Sequence, residues 1–496
     1  MQKVLLGIDA GTTSIKVNIF TLQGKTLVST MRTLEYDQLS NGGVEQDMNS
    51  IWAETSICIS EAVKACPGFE VVAIGVTGQG DGAWLVDSFG VPTGKAAIWL
   101  DSRAGAVLDR FRINGQEGLI SKITGSSLFP GVLPVLLEHF RESNDARLAN
   151  ARWHLNCKDF IGFKLTSVIA TDPSDASRTY LDISTGSYSQ ELVTKLNHQE
   201  FLEFLPKILP GNSIRGFVTD EVSKDCGLSK GIPVIVGAVD TSVAPISLGL
   251  TKPGSVFMII GTTSVVGTLQ EKTVTTPKEG HFTLVGGLLP LTTLTMAPMN
   301  GAPNIDWILK KVNLDIGDLD DILLSSPSGA NGVVYHPYLA TSGERAPFSD
   351  RYASASFFGL SIRHTDCDLV RAVAEGVAMS LVECLAELPA VTEIHVAGGV
   401  SKSKEWCQLL ADISGKVVVR PIGRDSGTFA VAAFAGLAAG VIEDLDKLLQ
   451  VETENFTPNT EVRTFYDSRI ELFGRLRDAI QPLWKSLRIE MVETNV

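Results

Sequence analysis

The tetrapeptide Gly-Thr-Thr-Ser occurs twice in this chain of 496 residues, once at 11–14 and once at 261–264. Each copy follows a run of apolar and β-branched residues, which predicts a strand that turns sharply and returns as a hairpin. Glycine lets a ligand approach the backbone, and exposed N–H groups and threonine hydroxyls can donate hydrogen bonds to phosphate oxygens. Two such corners facing each other could hold a polyphosphate between two domains, although either corner alone could be a plain hairpin turn.

Asp9 stands just before the first corner, in the stretch GIDAGTTSIK. A carboxylate at the lip of a phosphate site could hold a hydrated Mg²⁺ ion, and the alternative is that Asp9 only stabilises the turn. The sequence contains no GxxxxGK[ST] loop and no HRD or DFG signature. The stretch GVTGQGDG leads into a predicted strand instead of the helix N-terminus that a dinucleotide loop requires. P-loop proteins, protein kinases and dinucleotide-binding Rossmann domains are therefore excluded.

The composition is that of a globular protein, with 44% hydrophobic and 20% charged residues. At about 100–200 residues per domain, the length predicts two or three domains. The formal net charge of −14 opposes sequence-independent binding of nucleic acid. The seven cysteines show no CxxC spacing, the N-terminus has no signal-peptide pattern, and the most apolar later segment, 429–442, is too short to span a bilayer. We expect a cytoplasmic protein that does not bind membranes.

Hydrophobic periodicity predicts the elements that would position these residues. Strands are expected near 3–9, 14–21 and 25–32, followed by a helix and then a buried strand ending in GVTGQG. The second half repeats this plan, with strand, corner, strand, a long amphipathic helix, and a strand ending in Gly-Gly. Strands alternating with helices imply an α/β fold, and two similar units place a boundary near residue 245. A last helix is expected at about 466–486.

At this point the sequence resembles the FGGY carbohydrate kinases over essentially the whole chain. The resemblance implies the two-lobed fold shared by actin, Hsp70 chaperones and hexokinase, with ribonuclease H-like duplicated domains. It implies an N-terminal domain, 1–245, on the sugar and phosphate side, and a C-terminal domain, 246–496, on the adenine nucleotide side. The segments that carry it are GIDAGTTSIK, GVTGQGDG, AIWLDSRA, KDFIGFKLTSVIATDPSDAS, IPVIVGAVDTSVAPISLG, GERAPFSDRYASASFFGLSIRHTDCDLVRAVAEGVAMSL and VAGGVSKSKEWCQLLADISGKVV.

The family resemblance also implies roles for individual residues, with ATP and Mg²⁺ as cofactors. Asp240 lies at a predicted strand end and helix start and would be the general base. The alternative is that Asp240 is an ordinary helix N-cap. Asp9 would hold Mg²⁺. The residues expected to bind the nucleotide are Gly11, Thr12, Thr13, Lys16, Gly261, Thr262, Thr263, Gly398, Gly399 and Ser403. Those expected to bind the substrate are Gln79, Asp81, Asp101 and Arg103, with Asp240 contributing. Arg103 could instead form a structural ion pair near Asp101, and Gly398–Gly399 could serve helix–strand packing.

The expected reaction is ATP-dependent transfer of phosphate to a hydroxyl of a small neutral sugar or polyol in carbohydrate catabolism. The Gly-Gln-Gly-Asp-Gly pattern looks closest to the erythritol and L-pentulose kinase branches, which suggests a C4–C5 polyol or a ketopentose. Asp81 and Asp101 would repel a carboxylated substrate. Xylulokinase, gluconate-type and glycerol-type kinases remain alternatives within the family, and an actin- or Hsp70-like ATPase acting on protein partners is the alternative of another class. The sequence is compatible with a homodimer.

Overall fold

The computed structural model describes residues 1–272, 277–389, 391–422 and 427–493. Two seven-stranded sheets form the centres of two α/β lobes in this part of the chain. The strands are β1 Gln2–Ala10, β2 Ser14–Thr21, β3 Thr26–Thr33, β4 Asp37–Gln38, β5 Val44–Gln46, β6 Phe69–Gly78, β7 Leu85–Val86, β8 Ala96–Ala97, β9 Trp153–His154, β10 Leu181–Asp182, β11 Ser187–Tyr188, β12 Ile214–Phe217, β13 Pro233–Ile235, β14 Ala238–Val239, β15 Val256–Ile260, β16 Ser264–Gln270, β17 His281–Val285, β18 Thr292–Met296, β19 Val334–His336, β20 Ser356–Phe358, β21 Glu393–Gly398, β22 Val417–Pro421 and β23 Thr453–Phe456.

Helices cover the faces of both sheets, and short 3₁₀ turns join several of them. The α-helices are α1 Met48–Lys64, α2 Gly105–Ile113, α3 Gln116–Thr124, α4 Leu133–Glu142, α5 Cys157–Thr166, α6 Pro173–Ala176, α7 Gln190–Leu196, α8 Asp220–Cys226, α9 Asp240–Ser247, α10 Ala302–Lys311, α11 Leu319–Ser325, α12 Asp366–Ala386, α13 Lys404–Ser414, α14 Gly427–Ala438, α15 Leu445–Leu449 and α16 Thr460–Glu493.

The two large sheets share one topology. In the first, the order β12-β13-β6-β1-β2-β3 combines an antiparallel β1–β2–β3 meander with β6 and β13 in parallel. In the second, β15, β16 and β18 form the antiparallel part and β21 and β22 continue in parallel. The second half of the chain therefore repeats the plan of the first, as the sequence predicts.

Strand β1 is buried on both faces, as is typical of a strand with a parallel neighbour inside an α/β sheet. Val4, Leu6 and Ile8 face a core shared with α1. Leu5 faces a second core, which is built largely by α14 and α15 from the far end of the chain. The continuous apolar run of β1 is thus explained by two separate helical layers.

Helix α14 lies directly on the first sheet because two paired glycines leave room for its backbone. Gly7 of β1 and Gly75 of β6 are register partners. A Cβ atom on Gly7 would lie 2.0 Å from the carbonyl oxygen of Thr428, and one on Gly75 would lie 2.1 Å from that of Val431. A helix from the second half of the chain therefore packs on the sheet of the first half.

The elements predicted from sequence periodicity are largely confirmed. The strands expected at 3–9, 14–21 and 25–32 are β1, β2 and β3, and the apolar segment at 429–442 contains the buried helix α14. The last helix is longer than expected, since α16 covers Thr460–Glu493. The strand expected directly after GVTGQGDG is short, since the stretch 82–99 carries only the two-residue strands β7 and β8.

The packing of α14 on Gly7 and Gly75 gives a prediction for stability. Gly75→Ala should lower the free energy of unfolding by about 3 kcal/mol or more, because its Cβ would overlap helix backbone that cannot move aside alone. Gly118→Ala, inside α3, is the matched control, since nothing lies within 4 Å of its added Cβ, and it should gain about 0.5–1 kcal/mol. Denaturant unfolding measures both changes. A Gly75→Ala protein as stable as the wild type would contradict this packing.

Candidate functional site

Three neighbouring strands end at one edge of the first sheet and place the predicted acidic residues there. Strands β1, β6 and β14 are parallel, with Ala10 opposite Gly78 and Val239 also opposite Gly78. Asp9 lies one residue before the end of β1, and Asp240 follows β14 as the first residue of α9. Asp9 and Asp240 therefore lie at the same carboxyl edge, which is where open α/β sheets bind ligands.

Both Gly-Thr-Thr corners face one cleft. The cleft has a volume of about 1630 Å³ and is lined by residues from both halves of the chain, including Thr12, Thr13, Thr262 and Thr263. Each corner is a tight turn, closed by a hydrogen bond from Gly11 N to Ser14 O (3.0 Å) or from Gly261 N to Thr263 O (3.1 Å). The repeated motif is therefore a pair of turns that face a common space.

A hydrogen-bonded set of side chains, Gln79, Gln46 and Trp99, supports the first corner. Thr12 Oγ1 donates to Gln79 Oε1 (3.1 Å) and accepts from Trp99 Nε1 (2.9 Å). Gln79 is buried and donates through Nε2 to Gln46 Oε1 (2.6 Å). In this conformation the Gln79 amide is engaged in holding the corner, while Trp99 lines the cleft.

The second corner lies beside the Gly-Gly pair of β21. Gly398 is the register partner of Ile260 and has φ = +107°, and a Cβ there would lie 2.1 Å from the Ile260 carbonyl oxygen. Gly399 has open space at its Cβ position. Only glycine allows the backbone of β21 to approach the second corner so closely.

Ser403 precedes helix α13 as its N-cap. Its Oγ accepts from Trp406 N (3.0 Å) and donates to Asp320. The hydroxyl is therefore used to begin the helix in this conformation.

Asp240 and Asp9 influence each other electrostatically. Burial raises the pKa of Asp240 to about 7, aided by the negative charges of Asp9 and Asp81 and opposed by hydrogen bonds from Thr241. Burial also raises the pKa of Asp9, while the cation of Lys16, its cross-strand partner, lowers it. A carboxyl group whose pKa lies near neutrality, at the carboxyl edge of a sheet, is suited to accept a proton.

Asp81 is partly exposed and lies between Asp240 and two arginines. Its backbone has φ = +57°, and Arg178 Nε donates to its Oδ1 (3.1 Å). The charge of Asp81 raises the pKa of both Asp240 and Arg345. Asp81 thus lies within electrostatic reach of Asp240 and of a cation from the second half of the chain.

Asp101 and Arg103 form the structural ion pair that the sequence left as an alternative. Arg103 donates through Nε and Nη2 to Asp101 Oδ2 (2.8 and 2.6 Å), and Nη2 also donates to Glu45 Oε1 (2.6 Å). Asp101 is fully buried and additionally accepts from Val44 N (3.0 Å). Asp101 is among the residues that line the cleft, but its carboxylate is buried and paired with Arg103, which does not line it.

Sequence reasoning missed a cluster of two arginines and two phenylalanines, of which Arg345, Phe129 and Phe282 line the cleft. Arg178 and Arg345 contact the rings of Phe129 and Phe282, which themselves meet edge to face at 6.0 Å. Arg345 belongs to the segment GERAPF and Arg178 follows KDFIGFKLTSVIATDPSDAS. The available signal for these functional residues was that an arginine lies inside the first of these segments and another directly follows the second.

A fully buried ionic cluster lies beneath the edge that carries Asp240. Lys158 Nζ contacts Asp159 Oδ1 (2.7 Å), Asp172 Oδ1 (2.9 Å) and Asp175 Oδ2 (3.0 Å), and Arg215 also pairs with Asp159 (2.7 Å). Two cations thus face three carboxyl groups, and burial raises the pKa of Asp175 well above its usual value. Such a cluster tolerates little rearrangement, because a buried charge left unpaired is costly.

Ser174 links this cluster to the strand end that carries Asp240. Its Oγ donates to Asp172 Oδ2 (2.6 Å) and accepts from Val239 N (3.1 Å), and Val239 is the residue immediately before Asp240. On the other side of the same strand, Thr77 Oγ1 donates to Ala238 O (2.7 Å). The backbone that leads into Asp240 is therefore fixed from both sides.

Two kinds of feature are absent from the residues that the structure describes. No group of three or more His, Cys, Asp or Glu side chains arranged to hold a metal ion is found among them. Within that same part of the chain, no helix combines the length and apolar character needed to cross a bilayer.

The Ser174 link can be tested with a matched pair of serines. Ser174→Ala leaves the buried Val239 amide without its acceptor and should lower the free energy of unfolding by about 1–3 kcal/mol. Ser184→Ala removes the same kind of bond in an exposed turn, where Ser184 Oγ donates to Asp182 Oδ1 (2.6 Å), and should change stability by less than about 0.5 kcal/mol. Chemical denaturation measures both. Equal effects of the two substitutions would contradict a supporting role for Ser174.

Comparison with known proteins agrees with this geometry. The N-terminal domain of the FGGY family of carbohydrate kinases matches residues 4–247, and its C-terminal domain matches residues 256–439. The erythritol kinase of Brucella abortus is 30% identical, with 98% of each chain covered, and the xylulose kinase of Escherichia coli is 27% identical, with 96% of this chain and 99% of the relative covered.

Among solved structures, the ligand-bound xylulose kinase of Lactobacillus acidophilus superposes with a TM-score of 0.90 at 24% identity, covering 98% of this chain and 100% of that one. This match confirms the two-lobed actin- and hexokinase-like α/β fold that the sequence implies. The chain belongs to the FGGY family of carbohydrate kinases.

Proposed function

We propose that this carbohydrate kinase transfers the terminal phosphate of ATP, carried by Mg²⁺, to a hydroxyl of a neutral C4–C5 polyol or ketopentose, with Asp240 as the general base. The observation that carries the proposal is that two Gly-Thr-Thr turns face one cleft, while Asp9 and Asp240 lie at the carboxyl edge of the sheet from which the first turn extends. The family's relatives include an erythritol kinase and xylulose kinases, which favours substrates of this size. Family membership also favours a kinase over an ATPase that acts on protein partners.

Phosphoryl transfer depends mainly on positioning and electrostatics. The N–H groups and hydroxyls of Gly11–Thr13 and Gly261–Thr263 would bind the phosphates, and Lys16 would add a cation on the first side. Gly398 and Gly399 lie beside the second turn, which supports an adenosine site there. The division into a sugar and phosphate half, 1–245, and a nucleotide half, 246–496, stays a prediction, as does a homodimer.

Asp9 fits a magnesium ion that arrives with the substrate. Mg²⁺ in kinases is usually held by one or two protein carboxylates, by phosphate oxygens and by water, so it does not need a cluster of protein ligands. Asp9 is a partly buried carboxylate whose pKa burial raises, and a bound cation would stabilise its ionised form. The ion would supply charge neutralisation on the phosphates.

Asp240 is placed to receive the proton of the attacking hydroxyl. It begins α9, and its backbone is fixed by the bonds at Val239 and Ala238. In the loose transition state of phosphoryl transfer the alcohol loses its proton late, so a carboxylate base is sufficient. Asp81 would support the substrate side, since it is partly exposed and its charge acts on Asp240.

A substrate panel tests the function directly. Coupled ADP release would be measured with C3 to C6 polyols and ketoses, including glycerol and xylulose, and with gluconate. We expect one C4–C5 polyol or ketopentose to raise the rate over sugar-free hydrolysis by at least about 100-fold, because only the correct hydroxyl reaches the γ-phosphate in line. Slow hydrolysis at one rate with every sugar would refute the proposal, and a preference for gluconate would refute the neutral substrate.

Replacing the proposed base should remove the chemical step and its pH dependence. Asp240→Asn should lower kcat by about 10³-fold with little change in ATP affinity, since it keeps the shape of the side chain but cannot accept the proton. In the wild type, kcat/KM for the sugar, at MgATP well below its KM, should fall about tenfold per unit below pH 7, because the active form is the deprotonated carboxylate and its pKa is about 7.

Asp220→Asn is the control for Asp240→Asn. Asp220 is also the first residue of a helix, but it is exposed and pairs with Lys230. Its replacement should leave kcat and the pH profile unchanged. Retention of more than about a tenth of the activity by Asp240→Asn would exclude Asp240 as the base.

A further inference from the structure

Arg345 extends from the second half of the chain into the cleft. Glu344 holds the backbone of Arg345 against a neighbouring segment, since this buried carboxylate accepts from Arg345 N (2.9 Å) and from Met299 N (2.6 Å). The guanidinium donates through Nε to the carbonyl oxygen of Ala297 (2.6 Å). These bonds fix Arg345 at its backbone and at Nε. The residue also lines the cleft.

Three aromatic rings surround this guanidinium. The Cζ atom of Arg345 lies 5.2 Å from the ring centres of Trp99 and Phe129 and 5.7 Å from that of Phe282. Trp99 and Phe129 belong to the first half of the chain and Phe282 to the second. These cation–π contacts stabilise one orientation of the planar group, and so they pre-organise its remaining donors.

The terminal N–H groups of Arg345 have no acceptor in the residues that the structure describes. Among the described residues, the Arg345 side chain makes a single hydrogen bond, from Nε to Ala297 O. No carboxylate of those residues lies within 4.0 Å of its guanidinium nitrogens. Burial lowers the pKa of Arg345 to about 10, which still leaves it charged at neutral pH. A largely desolvated guanidinium with unused donors gains free energy from any ligand oxygen that reaches it.

The two carboxylates expected to face the sugar are already paired with other arginines. Asp101 is neutralised by Arg103, and Asp81 by Arg178. These two arginines offset part of the negative charge by which Asp81 and Asp101 were expected to repel a carboxylated substrate. The inner end of the cleft presents aromatic faces and the donor fork of Arg345, which suits the carbon face and the acceptor oxygens of a polyhydroxylated molecule.

We infer that Arg345 is a substrate-binding residue that donates hydrogen bonds to one oxygen of the sugar or polyol, between the faces of Trp99 and Phe129. The inference rests on the proposed function, since it assigns a further contact within the same site. It makes the second half of the chain a contributor to sugar specificity, in addition to Gln79, Asp81 and the other first-half residues expected from the sequence. If the assignment of Arg345 fails, the proposed reaction and the proposed role of Asp240 still stand.

A coupling experiment between protein and substrate tests this assignment. Wild type and Arg345→Gln would be compared on the best substrate of the panel and on its deoxy analogues, each lacking one oxygen. In Arg345→Gln, KM for the parent substrate should rise about 10- to 100-fold, the loss expected for a hydrogen bond from a charged donor, while KM for MgATP stays within about twofold. One deoxy analogue, poor for the wild type, should equal the parent substrate in the variant, because its missing oxygen has lost its partner.

Arg351→Gln is the matched control. Arg351 follows in the same loop and lines the same cleft, but it is exposed and its guanidinium donates to Tyr352 Oη (2.5 Å). Its sugar KM should stay within about twofold of wild type. If Arg345→Gln does not fold, Arg345→Lys replaces it, since lysine keeps the cation on the rings and loses the planar fork.

The possible results separate the two proposals. A wild-type enzyme that prefers one sugar, together with an Arg345 variant whose sugar KM is unchanged or whose loss is equal for all analogues, overturns the role of Arg345 alone. A wild-type enzyme that phosphorylates no member of the panel overturns the proposed function and this inference with it.

Discussion

The parallel register of β1, β6 and β14 is the constraint on which the site depends. Because Ala10, Gly78 and Val239 are aligned across these strands, the residues next to them emerge at one edge. That register is held by the packing of α14 on Gly7 and Gly75, where helix backbone touches sheet backbone directly. A helix from one half of the chain thus fixes the strands of the other, and the cleft lies between two lobes that share this core.

The second requirement is control of charge near Asp240. The cluster around Lys158 is buried, nearly neutral and joined to Val239 through Ser174. It supports the backbone that leads into Asp240 without adding a free charge to the cleft. Asp9 and Asp81 then act on Asp240 at longer range, and their negative charges favour a carboxyl group that can still take up a proton near neutral pH. Rigidity and proton affinity at this position therefore have separate sources.

Much of this arrangement could be predicted from the sequence, and the limits have physical causes. The Gly-Thr-Thr corners, the strand end before Asp240 and the buried segment at 429–442 are local patterns, and local periodicity indicates them. The packing of α14 on Gly7 and Gly75, and the contacts of Arg345 with Trp99 and Phe129, join residues far apart in the chain, and periodicity carries no information on them. The pairing of Asp101 with Arg103, two residues on, was one of the alternatives that the sequence offered, whereas the pairing of Asp81 with Arg178 joins residues 97 apart and leaves no local signal.

A crystal structure of the Asp240→Asn protein with Mg²⁺, ATP and the preferred sugar would test the central claim most directly. We predict that the triphosphate lies between the turns at 11–13 and 261–263, with Mg²⁺ next to Asp9. The amide group introduced at position 240 should lie at about 2.6–3.2 Å from one hydroxyl of the sugar. A triphosphate bound outside the space between the two turns, or a sugar with no hydroxyl within reach of residue 240, would contradict it.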